Sequence, residues 1–189
     1  MRNYSGRAFS IRIAAPAELD AVSALLLASY STLLRACYDD GILAGALPHL
    51  TKANPTLLAC GSYYVAEREP DNLVGCGGWT AAKPGSGEVT EGEAHIRHFA
   101  THPEWARRGI GSALLARCIS DARSAGVRKL HCISTLNAEQ FYRAAGFEMI
   151  ETIDVPLEPG MTFPGISMSC EVCAWDRHQM LDKRPRNFL

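Results

Sequence analysis

The chain has 189 residues, of which 47% are apolar and 21% charged, and its formal net charge is -1. That length suits one domain with a substantial core, and the mixture is that of a globular chain, not a disordered one. A charge so near zero supplies no general field for a polyanion, which excludes nucleic acid as an expected partner.

The apolar run 22–27 is too short to span a bilayer, and the first five residues lack the apolar stretch of a signal peptide. A cytoplasmic protein without a membrane partner is the expectation. Seven cysteines, an odd number scattered through core-like segments, fit reduced thiols better than a disulfide framework. Cys170 and Cys173 have C-x-x-C spacing. They stand in a late strand-like segment with no further ligands at suitable spacing, so they read as packing residues and no metal site is expected.

In chain order, the alternation of Phe9, Ile11 and Ile13 predicts a first strand over 9–13. Pro16 stands where a helix can begin, and Leu19, Val22, Leu26 and Leu33 carry it to about 34. A second helix is predicted over 40–50 before Asn54 and Pro55 break the chain. Strands over 63–67 and 73–82 flank the turn signal 69–72 and form a hairpin; 84–87 is a loop by composition.

A strand over 94–101 is closed by His102 and Pro103, and a long amphipathic helix follows over 109–125. Its apolar face is Ile110, Leu114, Leu115, Cys118, Ile119 and Ala122, and Gly126 is its stop. A short strand over 128–134 precedes a helix predicted over 137–145, where Asn137 and Gln140 have the spacing of a capping box. Strands over 147–155 and 166–173 are joined by a Pro-Gly-rich loop, 156–165, and the last fifteen residues are polar. The order of elements indicates an α/β chain with a mixed sheet and helices on its faces.

The chemically telling segment is 106–112, where a strand has ended and a helix starts. Backbone N–H groups there have no partner within the helix, and the helix dipole favours an anion. Gly109 and Gly111 let the backbone approach closely, while Arg107 and Arg108 add charge-assisted hydrogen bonds, so a diphosphate is the fitting guest. A P-loop would need Gly-Lys-Ser/Thr at its end, but Ser112 and Ala113 follow Gly111; a Rossmann fingerprint would need Gly or Ala where Leu114 stands.

The segment 102–115 resembles the coenzyme A loop of the GNAT N-acetyltransferase superfamily: an Arg or Gln, two residues, Gly, one residue, then Gly or Ala. The glycines fall on Gly109 and Gly111, and Ala106 departs from the pattern at its first position. The segment 137–147, with Tyr142 in the helix and Gly146-Phe147 after it, is similar to the family's later motif. The resemblance implies a GNAT fold: a mostly antiparallel twisted sheet of about seven strands flanked by about four helices, as one domain over 1–189 with a core of about 9–174 and a polar tail.

It further implies acetyl-CoA as cosubstrate and an amine as acceptor. The strands on either side of the long helix would splay, with Phe99, Ala100 and Thr101 meeting the pantetheine arm through their main chain. The Phe99 amide would serve as oxyanion donor. Arg107, Arg108, Gly109, Ile110, Gly111 and Ser112 would cradle the pyrophosphate, Asn137 would contact the arm, and Tyr142 would bind the cofactor and act as catalytic acid. For a general base the candidates are His95 first, then Glu93 and His98.

The acceptor would enter beside the first two helices and the 156–165 loop, with Tyr30, Tyr38, Asp39 and Asp40 at that entrance. Asp39 and Asp40 read equally as the favourable acidic start of the second helix. Two functions stay open at this stage: an N-acetyltransferase acting on a small amine or a peptide, and a non-catalytic acyl-CoA binding or sensing module. A homodimer through an edge strand such as 166–173 is also expected.

Overall fold

A computed structural model describes residues 9–69 and 72–172. The chain opens with β1 (Ser10–Ile13), a 3-10 turn and α1 (Leu19–Leu33), then α2 (Asp40–Leu50) and a short α3 (Pro55–Ala59). The hairpin β2 (Tyr63–Glu67) and β3 (Leu73–Thr80) follows, and then β4 (Glu93–Thr101), α4 (Ile110–Ser124), β5 (Lys129–Ser134), α5 (Glu139–Ala144), β6 (Glu148–Glu158) and β7 (Met161–Glu171).

The seven strands form one sheet in the order β1-β2-β3-β4-β5-β7-β6, in which β4 and β5 are parallel and every other pair is antiparallel. Three cores pack against it, and the two larger lie on opposite faces. On one, α4 buries Ile110, Leu114, Leu115, Cys118, Ile119 and Ala122, the six residues that its periodicity singles out. On the other, Val22, Leu25 and Leu26 of α1 and Leu57 and Leu58 of α3 pack on Tyr63, Val65 and Cys76. Pro16–Ala36 is long and apolar enough by composition to cross a membrane. Within it Val22, Leu25, Leu26 and Ser29 are buried in the fold.

Several sequence expectations need correction. Asn54 and Pro55 do not merely break the chain: the Asn54 side chain accepts from the Thr56 N–H and Pro55 takes the first helical position, starting α3. Asn137 is not a helix cap, because a 3-10 turn at Leu136–Ala138 intervenes and α5 begins on Ala138 without a side-chain cap. The predicted loop 156–165 is mostly strand. Only Pro159 and Gly160 turn, with Gly160 at φ +80°, the residue order of a type II turn.

The last strand is not an edge either: β7 lies between β5 and β6, so the sheet ends on β1 and β6 and a dimer through 166–173 is closed off. The pair Cys170/Cys173 is described only at Cys170, which is buried; Cys173 and the tail lie outside the described residues.

Because Leu114 is fully buried between α4 and the sheet, Leu114→Ala is expected to cost about 3 kcal/mol. Urea unfolding followed by circular dichroism measures it, and a loss below about 1 kcal/mol would contradict this packing.

Candidate active site

The loop before α4 bends in two places that side chains rarely tolerate: Arg107 at φ +64° and Gly109, the helix N-cap, at φ +79°. The first hydrogen bond of the helix runs from the Ala113 N–H to the Gly109 carbonyl, which leaves the N–H groups of Ile110, Gly111 and Ser112 without helical partners. Arg107, Arg108, Gly109 and Ser112 are exposed, and a Cβ at Gly109 would meet nothing within 4 Å. The arrangement is an open, positively polarised concavity.

One contributor escapes a reading of the motif alone. The guanidinium groups of Arg68 and Arg108 lie 4.8 and 4.5 Å from the Trp105 ring centroid, so the β2-β3 turn lends a third arginine to the loop. Its signal in the sequence was only the hairpin that places residue 68 near the end of β4.

Beside the loop, β4 carries a bulge. Cys76 pairs with Ala100 and Gly78 with Arg97, so Gly77 alone faces two residues, His98 and Phe99. His98 has φ +43°, a left-handed conformation for a non-glycine residue. The extra residue changes the phase of the strand: Ala94 and Ile96 belong to the core under α4, whereas Ala100 belongs to the core under α1. Gly77 makes room for this, since a Cβ there would lie 2.5 Å from the Phe99 ring.

The bulge is tied down from the α1 face. Tyr63 Oη donates to the His98 carbonyl at 2.9 Å, and Tyr30 Oη donates to the Phe99 carbonyl at 3.1 Å. Burial pushes the pKa of both phenols above the ordinary range, so both remain donors.

Past the bulge the sheet opens. β4 pairs with β5 over 93–95 and 129–131, and β5 then continues against β7 instead. The His102 N–H reaches back to Val74 on β3; by alternation the N–H groups of Thr101 and Phe99 point the other way, into the gap. Phe99 is edge-on to Tyr142, and Phe141 lies 4.9 Å from Tyr142, centroid to centroid. A Cβ at Gly111 would sit in ordinary contact, 3.4 Å from Phe141 and 3.7 Å from Thr101 Oγ1, which places this glycine between the loop and the gap. Tyr142 is buried, its hydroxyl makes no hydrogen bond among the described residues, and burial raises its pKa well above the ordinary value.

Asn137 is differently engaged. Its Oδ1 accepts from Thr135 Oγ1 at 2.7 Å and its Nδ2 donates to the Leu33 carbonyl at 3.2 Å, so its side chain ties the end of α1 to the start of α5. Of the entrance residues, Tyr30 reaches the gap. Tyr38 is buried, stacked on Phe163, donating to the Pro164 carbonyl and accepting from the Leu136 N–H. Asp39 caps α2 by accepting from the Ile42 N–H, and Asp40 is exposed in the first turn.

The base candidates divide. Glu93 and His95 come together with a residue the sequence reading passed over, His131 of β5: its Nε2 lies 3.0 Å from Glu93 Oε2, and its ring stacks on His95 at 5.3 Å. Alternation along β5 was the available signal. Burial first, then His131, Arg97 and Lys83, lower the His95 pKa and keep its imidazole neutral at pH 7. At about 3.3 Å per residue His95 is some 13 Å along the strand from Phe99, which calls for an intervening water in any proton transfer. His98 is adjacent to Phe99, but burial and Arg97 push its pKa down to about 4, leaving a weak base.

Residues 59–149 match the family model of the acetyltransferase (GNAT) domain. No curated protein matches the sequence. Among solved structures, the chain is similar to the PaiA N-acetyltransferase of Thermoplasma acidophilum in complex with coenzyme A, at 14% identity and TM-score 0.64 over 86% of this chain and 98% of that one. A GCN5-related N-acetyltransferase from Rhodopseudomonas palustris gives 18% and 0.67 over 86% and 94%, and a GNAT-family acetyltransferase from Staphylococcus aureus gives 14% and 0.62 over 87% and 99%. At these identities the structures establish the fold.

Residues 59–149, just under half of the chain, are thus similar to the GNAT acetyltransferase domain, and the chain has the fold of the GNAT acetyltransferases it resembles. Domains of this family take acetyl-CoA as cosubstrate, and the residues present fit it: an exposed cradle of amides and arginines opens past Gly111 into a gap with unpaired strand N–H groups.

His98 gives the site a pH signature. Its folded pKa lies below the ordinary 6.5, so on acidification the unfolded chain takes up a proton before the folded one does. Stability is therefore full above about pH 6.5 and falls by up to about 3 kcal/mol as the pH drops through 4, with His95 acting in the same direction. Urea unfolding at stepped pH should show that decline, and His98→Gln should flatten it; an unchanged slope in the variant would refute the assignment.

Proposed function

We propose that the protein is an acetyl-CoA-dependent N-acetyltransferase that moves the acetyl group to a primary amine of a small molecule or peptide by direct attack in a ternary complex. The observation that carries this reading is the bulge: it changes the phase of β4 at Phe99, beyond the point where β4 and β5 cease to pair, and Phe99 there lies edge-on to the buried Tyr142. Acetyl-CoA supplies the activated acyl group. The loop from Arg107 to Ser112 holds its pyrophosphate, and the main chain at Phe99, Ala100 and Thr101 aligns the arm. Asn137 takes part through its backbone and by fixing the α5 start, since its side chain is already bonded.

In the transfer step the amine nitrogen attacks the thioester carbonyl carbon, and the developing oxyanion accepts from the Phe99 N–H. As the C–S bond breaks, Tyr142 donates a hydrogen bond to the departing sulfur. A phenol held neutral by burial suits donation better than full proton release, and a thiolate with a free pKa near 8.5 needs no more than that. The proton shed by the amine passes through water towards neutral His95, whose neighbour His131 is held by Glu93.

Thiol release from acetyl-CoA against a panel of amines, amino acids and peptides tests the proposal. Arg108→Ala should raise the KM for acetyl-CoA about 10-fold with kcat little changed, and Tyr142→Phe should lower kcat about 100-fold with KM nearly constant. Coenzyme A binding with no release for any acceptor would replace the transferase by a binding or sensing module.

A further inference from the structure

The face of β4 turned away from α4 carries Glu93, His95 and Arg97 in succession, because Ala94 and Ile96 between them are buried under the helix. β5 adds His131 to the same face, since Leu130 and Cys132 point into the core, and Ser169 of β7 stands opposite His131 in the register. This polar row ends at the bulge.

Its charges do not balance. The Arg97 guanidinium is half-buried and donates through Nη1 to Thr80 Oγ1 at 2.9 Å. Among the described residues no carboxylate lies within ion-pair distance of it, and the groups bearing on its charge are Cys60 and Tyr63. The acid of the row, Glu93, is already bonded to His131, while Lys83 adds further positive charge near His95. A partly desolvated cation with most of its donors unused is costly unless an anion completes it, and a planar guanidinium accepts a carboxylate through two parallel bonds.

Arg97 immediately precedes the bulge residue His98 and lies two residues before Phe99, whose amide is assigned to the acetyl group. We infer that the acceptor is an amine that also bears a carboxylate, and that Arg97 receives this carboxylate while the amine reaches the bulge. The inference rests on the transferase reading of the site for the amine's place, whereas the carboxylate's place rests on Arg97 alone. A free amino acid and a peptide N-terminus with an acidic first residue share the required chemistry.

Calorimetry with coenzyme A present tests it, using each standard amino acid beside its own carboxamide, and a peptide beginning with aspartate beside its asparagine counterpart. At least one acid should bind about 10-fold or more tightly than its amide. Arg97→Gln should erase that preference without weakening coenzyme A binding, which also reports that the variant is folded, and Arg97→Lys should keep part of it. If no acid, free or peptide-borne, is preferred, or if Arg97→Gln weakens acid and amide alike, the inference is overturned. Thiol release measured in parallel separates the two readings: a preserved acid preference without release removes the transferase and leaves the carboxylate site.

Discussion

One surplus residue on β4 governs the rest of the site. Opposite Gly77 the strand fits two residues into the space of one, and from that point its side chains change faces. Before the bulge, the alternate residues Glu93, His95 and Arg97 face away from α4; after it, Phe99 packs towards α5. Without it β4 would keep its phase, and Phe99 would turn from the aromatic wall that Phe141 and Tyr142 form.

A bulge of this kind is strained and must be held by its surroundings. Here the restraints come from the α1 face and from the neighbouring strand: Tyr63 and Tyr30 bind successive carbonyls, and a glycine on β3 gives up the volume that the Phe99 ring occupies. The tyrosines belong to a strand and a helix far apart in sequence. The backbone geometry that matters to chemistry is thus a product of the α1 core, not of β4 itself, and the same packing sets the low proton affinity of His98.

Much of this was legible in the residues. The periodicity of 110–122 marked every buried position of α4, and the glycines and arginines of 107–111 marked the anion cradle, because both signals are local. The strand-like run 63–67 beside the turn signal 69–72 likewise located β2. What stayed hidden depends on distant partners. Nothing in the string at 97–99 announces a left-handed histidine, and the insertion of β7 between β5 and β6 follows from pairing, not from propensity. Pro164 inside β7 made 156–165 read as loop, although the Pro159-Gly160 turn suffices to reverse the chain. His131 joined the site only once β5 was laid parallel to β4.

The phenol of Tyr38 has a wider consequence. It joins the α1-α2 corner to Pro164 of β7 and to Leu136 at the head of α5, and Asn137 adds a second tie to Leu33. Three stretches that border the gap are therefore clasped together before any guest arrives. The conformational freedom of this rim is surrendered during folding, so little is left to surrender on association. A rim tied in this way carries a smaller ordering cost into association than a loose one would.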